Sequence, residues 1–362
     1  MDERFIKDYV CSVFTADTKV NPKQLRLIAS GKRTPSNLYL TEKNELYALF
    51  LSPLERLNEL QWENLLLELE SEGFLASTDK SWSLSTEGSK LKAHFLSKYP
   101  VTSSAPTLRY ALTRKTNWKR FLFVSQIFSE MSYHNSQYLP VISDPLTQKH
   151  VKKWLSLQRR GSTDLSRQWG EELILFLSKQ TDDIIHLLLD QLTGHTAEAL
   201  TQRQLSEKYG MPYLAVELLN LHFMESIQTF KEELPLIYSL WKQTDELSYS
   251  GTSESTHKSI RYFHQHLPLH NIAAIRKRKI NTIKEHLLEY VMVSHWDDYS
   301  PYIPSNVTVR LHQLFEQNPK LSFKEANAQM KGLDFFWFRL IEIERMRARR
   351  CQRQEDSRQK SF

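Results

Sequence analysis

The stretch "HNIAAIRKRKINTIKEHLLEYV", His270 to Val291, decides how this chain is read. Two runs with apolar residues at helical spacing flank four consecutive cations, Arg276 to Lys279, and predict two helices joined by a tight, charged turn. A helix-turn-helix constrains such a turn. A small residue on the first helix lets the second approach, a turn position follows four residues later, and an aliphatic core residue comes six beyond that. Here those positions are Ala273, Lys277 and Ile283. The same spacing recurs upstream in "QRQLSEKYGMPYLAVELLNLHF", with Ser206, Gly210 and Val216.

Charge separates the two copies. The upstream one carries Glu207, Glu217 and Glu225 and reads as a plain helical hairpin. From Lys258 to Tyr290, seven cations (Lys258, Arg261, Arg276, Lys277, Arg278, Lys279 and Lys284) face only Glu285 and Glu289. Asn281 is expected to cap the second helix, so the four cations stand just ahead of a helix start whose N–H groups add to the attraction for a phosphate. The candidate nucleic-acid-binding residues are therefore Arg276, Lys277, Arg278, Lys279, Asn281, Thr282 and Lys284. Ile272, Ala273, Ile283, His286 and Leu287 form the expected motif core. The bland alternative is a solvated basic loop.

Outward from this motif, 362 residues exceed what one core usually organises, and two or three domains are expected. Nine glycines among many Leu, Glu, Lys and Gln favour a mainly α, multidomain chain with few strands. In "QWENLLLELESEGFLASTDKSWSL" a helix from about Gln61 to Glu72 stops at Gly73. A hairpin, Phe74 to Ser77 and Trp82 to Leu84, turns about Thr78 to Lys80. Helix, glycine and hairpin make residues 1–100 winged-helix-like. Glu63, Glu68, Glu70 and Glu72 on that helix would repel phosphate, which points the wing toward protein contact. The polar stretches 98–107 and 245–258 read as boundaries of an all-helical middle domain, 108–245. Asn117, Asp144 and Thr181 or Asp182 are its expected helix caps. A helix-turn-helix domain spans 257–346, and the basic tail, 347–362, is expected to be disordered.

The run Ile272, Ala273, Arg276, Thr282, Ile283, His286, Leu287 resembles the signature of the helicase-associated helix-turn-helix domain, which follows the catalytic core in some RecQ-type helicases. The whole layout is similar to the bacterial YpbB-like family, typically encoded beside a RecQ-type helicase gene. The resemblance implies an accessory protein of such a helicase in DNA repair or recombination. Lys277-Arg278 stand where that family usually has Gly-Leu, making this turn more basic.

Catalytic chemistry is not expected. "SGKRT", Ser30 to Thr34, lacks the upstream glycine of a phosphate-cradling loop and puts Arg33 where the hydroxyl must stand. His264, His266, His270 and His286 are interrupted by Pro268 and have no Cys or carboxylate to complete a metal site. The acidic pairs Glu171-Glu172 and Asp182-Asp183 are expected at helix starts, where the helix dipole accounts for them. The aromatic run Phe335 to Phe338 points all round one helix, so core packing is expected for most of it. Cys11 and Cys351 lie far apart, and neither a leader nor a run of membrane length is evident, so a cytoplasmic location is expected. The sequence thus reads as a non-enzymatic protein with no cofactor, no metal, no small-molecule substrate and no membrane contact. DNA and a RecQ-type helicase are its expected partners. A transcription regulator, with Asn281, Thr282 and Lys284 toward base edges, or a pure interaction scaffold are the competing readings.

Overall fold

Near the amino end, helix Glu59–Ser71 forms because Asn58 and Gln61 close a capping box at its start. It ends where Gly73 takes a left-handed φ of 79°. The Phe74 N–H bonds back to the Leu69 carbonyl at 2.9 Å, so the hairpin begins one residue later than expected, pairing Leu75–Thr78 with Ser81–Leu84. A single bridge from Val20 to Trp82 supplies the third strand position, and helices Glu3–Val13 and Pro22–Ala29 complete a winged-helix-like part. Three of the four acids noted in its sequence are engaged internally, and Glu63 is exposed. Lys7 reaches Glu68 and Glu72 at 3.0 and 2.8 Å, and Trp82 Nε1 donates to Glu70 at 3.1 Å.

A computed structural model of the protein describes residues 3–50, 52–79, 81–99, 107–158 and 161–359. Among these the chain is mainly α, with nineteen α-helices and one two-stranded antiparallel sheet. It forms two compact units, one from Met1–Gly31 with Tyr47–Gly251, the other from Lys32–Leu46 with Thr252–Phe362.

In the first unit, helix Arg114–Ser132 packs against Ser162–Leu177, Tyr213–Ser226 and Pro235–Leu247. An aromatic core joins them, with Phe121 and Phe128 at 5.6 and 5.4 Å from Trp169 and Phe176 at 4.3 Å from Phe223. Asp144 caps Pro145–Ser156 as expected, accepting from the Thr147 N–H at 2.8 Å. Asn117 does not cap. The helix already starts at Arg114, and Asn117 is buried inside it. Nor do Glu171 and Glu172 begin a helix. They lie within Ser162–Leu177, and Glu172 accepts from the Leu236 and Ile237 N–H groups, capping a helix distant in sequence. Most of 98–107 lies outside the described residues. The stretch 245–258 is not a soft linker, because Asp245 is buried against Arg109 at 2.6 Å. At Gly251, φ is 76° and an added Cβ would meet the Arg109 carbonyl at 2.2 Å, so only glycine fits there.

In the second unit, helix Pro35–Lys43, capped by Thr34, packs on Ile280–Ser294 and on the long helix Phe335–Gln359. Tyr39 donates to Glu342 at 2.5 Å, and the Arg339 guanidinium lies over the Tyr39 ring at 3.3 Å. Glu42, fully buried, takes Arg347 Nε at 3.0 Å and Arg350 Nη1 at 3.2 Å. These pairs explain why the tail differs from expectation. Residues 347–359 continue the long helix, and two arginines at its entry to the tail, Arg347 and Arg350, have a buried carboxylate to meet. Residues 360–362 lie outside the described part. Phe336 and Phe338 are buried, while Phe335 is exposed.

Candidate nucleic-acid interface

Helix Leu269–Arg276 ends with Lys277 in the left-handed conformation, φ 50° and ψ 49°. The Arg278 N–H closes back to the Ala273 carbonyl at 3.0 Å. Arg278 and Lys279 carry the chain into helix Ile280–Ser294. The upstream copy has the same turn. Gly210 sits at φ 57° and ψ 33°, the Met211 N–H reaches the Ser206 carbonyl at 3.1 Å, and Val216 is buried as Ile283 is. Its acids are paired within the fold: Glu207 with Arg203, Glu217 with Lys115, and Glu225 with the buried Arg114.

The seven candidate residues divide into three groups. Lys277, Arg278 and Lys279 are exposed, with no ion pair or side-chain hydrogen bond among the described residues. Arg276 is turned inward. Its Nε donates to Ser259 Oγ at 3.2 Å and its Nη2 to the Ser255 carbonyl at 3.0 Å, so it braces the turn against helix Glu254–Phe263 while its charge stays uncompensated. Lys284 is committed elsewhere, paired with Asp334 and lying 5.7 Å from the Phe336 ring. Asn281 does not cap the helix. Lys279 occupies the cap position without a side-chain bond, and Asn281 is an exposed residue of the first turn beside half-buried Thr282. The N–H groups of that turn therefore lack a side-chain acceptor next to three unpaired cations.

Ile272, Ala273, Ile283, His286 and Leu287 are all buried. His286 Nδ1 and Ser259 Oγ are hydrogen-bonded at 3.0 Å, which joins the imidazole to Arg276 through one hydroxyl. Burial holds the imidazole below its usual pKa range, with Arg276 and Arg278 adding to the effect and Glu289 opposing it. The other histidines have separate surroundings. His264 meets the Tyr290 hydroxyl, His266 meets Asp298, and His270 is exposed.

Past its first turn, the second helix leaves little to solvent: Ile283 and every residue from His286 to Val293 are buried. Four helices surround it, Glu254–Phe263, Leu269–Arg276, Pro35–Lys43 and Phe335–Gln359. Such a helix offers a nucleic acid its amino end, not a long face. Sequence reasoning missed the fate of Glu289. That carboxylate accepts from Ser253 N and Oγ at 2.7 and 2.9 Å, from Thr256 Oγ1 at 2.6 Å and from Arg33 Nη2 at 3.4 Å. One of the two anions counted against the basic turn is thus buried and neutralised, by an arginine about 250 residues upstream that no local pattern could have supplied.

A family model described as a helix-turn-helix domain matches residues 255–342. The chain carries a C-terminal helix-turn-helix domain. It is also 27% identical over 229 residues to Protein YpbB of Bacillus subtilis (strain 168). That match covers 61% of this chain and 63% of YpbB, so it spans less than two thirds of the relative's length. No solved structure matches the chain. Among the described residues, no helix is long and apolar enough to cross a membrane.

Proposed function

We propose that this protein is a non-catalytic DNA-binding factor that works beside a RecQ-type helicase in DNA repair or recombination. One observation carries the DNA-binding part. Lys277, Arg278 and Lys279 stand exposed and unpaired at the amino end of a helix whose first turn has no side-chain cap. Lysine and arginine there neutralise phosphates, and the helix dipole adds to the attraction, so contact is with backbone and largely independent of sequence.

Base reading is the weaker alternative, because Lys284 would have to abandon Asp334 and Glu285 is exposed on the same end of the helix. The helicase partner rests on the resemblance of the run from Ile272 to Leu287 to the helicase-associated signature. In this reading the winged-helix-like part contacts protein, since its acids are unsuited to a phosphate surface, and the protein acts in the cytoplasm. A purified RecQ-type helicase, sedimented with and without the full chain after nuclease treatment, tests the partnership. Co-migration that survives nuclease is expected, and migration apart under all conditions rules the helicase out as a partner.

A further inference from the structure

A buried guanidinium in the middle helices has no counter-charge. Arg120 is 2% exposed. Its Nη1 donates to Thr244 Oγ1 at 2.6 Å and reaches Gln243 Oε1 only at 3.5 Å, and its buried Nε has no hydrogen-bond partner. No carboxylate pairs with it among the described residues. Its neighbours are treated differently. Arg114 on the same helix has Glu225 at 2.9 Å, and Arg109 has Asp245 at 2.6 Å. Three residues before Arg120, and so on the same side of the helix, the buried Asn117 also leaves both amide atoms without partners. A cation taken out of water without an anion is a heavy cost to the fold, and groups left in that state concentrate at binding sites.

The rim of this site is basic. Lys119 is exposed beside Arg120, and helix Pro145–Ser156 presents Lys149, Lys152 and Lys153 to solvent. None of the four has an ion pair among the described residues. Helix Pro145–Ser156 packs on helix Arg114–Ser132, which brings His150 within reach of the Arg120 charge. Partial burial holds its imidazole below the usual range, and Arg120, Lys149 and Lys153 push it in the same direction against the lone carboxylate of Asp144. Asp144 itself is occupied in capping, through Thr147.

We propose that Arg120, with Lys119, Lys149, Lys152 and Lys153, forms a second phosphodiester-binding site in the first unit, separate from the helix-turn-helix turn. The choice of phosphodiester among anions rests on the DNA-binding reading above. The spacing suits it. Lys149 and Lys153 are about 6 Å apart along the helix axis, comparable to the roughly 7 Å of duplex axis over which one strand rises by two phosphates. Lysines on a helix supply point charges, and Arg120 adds a fixed positive potential from a low-dielectric interior.

The test uses the full chain, a short duplex of arbitrary sequence, and affinity measured across a salt series. Four proteins are compared: the parent, K149S/K152S/K153S, K277S/R278S/K279S, and the combination. Each triple is expected to flatten the salt slope by about 0.9 for each phosphate that is no longer neutralised. The two effects are expected to add, because the sites share no residue. A lysine variant with parental affinity and slope overturns the site, and this is the outcome if the patch instead takes an acidic protein segment. A turn variant that already abolishes all binding overturns it too, while leaving the turn assignment intact. If only the lysine variant weakens binding, the site stands and the turn assignment fails. A parent that binds no DNA removes both. Arg120→Met separates a binding role from a packing role. Increased amide-exchange protection of helix Arg114–Ser132 with weakened DNA binding is expected, whereas lost protection with unchanged affinity takes Arg120 out of the site.

Discussion

Glu42→Gln is the most informative perturbation of the second unit, since it keeps volume and removes one negative charge. Glu42 is fully buried, and its Oε1 accepts from Arg347 at 3.0 Å and from Arg350 at 3.2 Å, while its carbonyl accepts from Arg350 Nη2 at 2.6 Å. Removing one member of a buried ion pair typically costs about 3–5 kcal/mol, because the partner is left buried and unpaired. Arg347 and Arg350 keep 18% and 17% side-chain exposure, enough to recover some hydration, which places the expected loss near the lower end, about 3 kcal/mol. Two units in one chain make a single global unfolding energy ill-defined. The measurement is therefore amide hydrogen exchange resolved along helix Phe335–Gln359 and helix Pro35–Lys43. Both are expected to lose protection together, with the first unit unchanged. A loss below about 1 kcal/mol, the range of a surface pair, would show that Glu42 does not hold the long helix.

Lys277 occupies a left-handed conformation that costs an L-residue about 1–2 kcal/mol, whereas glycine there gives back about 0.5–1 kcal/mol in chain entropy. Lys277→Gly is therefore expected to stabilise the second unit by roughly 0.5–1 kcal/mol in denaturant unfolding, and a loss of stability would contradict the turn geometry. Burial, with Arg347 and Arg350 nearby and Glu42 only partly offsetting them, lowers the His295 pKa to about 4. The imidazole must take up a proton only on unfolding, so its contribution is present above the unfolded value of about 6.5 and is lost as pH falls toward 4. The second unit should accordingly weaken between these limits by at most about 3 kcal/mol, and His295→Asn should flatten that profile when unfolding is followed across pH. Lys284→Ser is expected to leave DNA affinity within about twofold while costing about 1 kcal/mol of stability, and a large, sequence-selective loss of affinity would instead favour a regulator that reads bases.

What could be read from the sequence was what is local. The turn from Ala273 through Lys277 to Ile283 closes with backbone bonds five residues apart, so spacing alone finds it, twice. The hairpin before Trp82 was legible for the same reason, since Gly73 punctuates it. Helix starts were less legible, because the residue types that cap helices also serve as buried polar groups, as Asn117 and Glu172 do here. Asn281 misled in another way. The turn at Lys277 satisfies itself through backbone bonds, so the helix restarts at Ile280 without waiting for a capping side chain. Out of reach were the partnerships of Glu42 with Arg347, of Arg33 with Glu289 and of Tyr39 with Glu342, each joining segments hundreds of residues apart. They anchor Arg347 and Arg350, at the start of a tail expected to be disordered, and they removed one acid from the candidate interface. The pairing of Lys284 with Asp334 was hidden in the same way, because Asp334 lies fifty residues downstream.

The central claim is that an exposed, unpaired basic turn grips nucleic-acid backbone. Its most direct test is the salt dependence of DNA affinity for the full chain and for K277S/R278S/K279S, measured on two duplexes of unrelated sequence. The buried frame of Ile272, Ala273, Ile283 and Leu287 is untouched, so folding should survive. The variant is expected to bind both duplexes more weakly and to the same degree, with a salt slope smaller by about 0.9 for each phosphate that is no longer neutralised, roughly 2 to 3 in all. Unchanged affinity and slope in a protein that binds DNA would make the turn a solvated surface and contradict the claim.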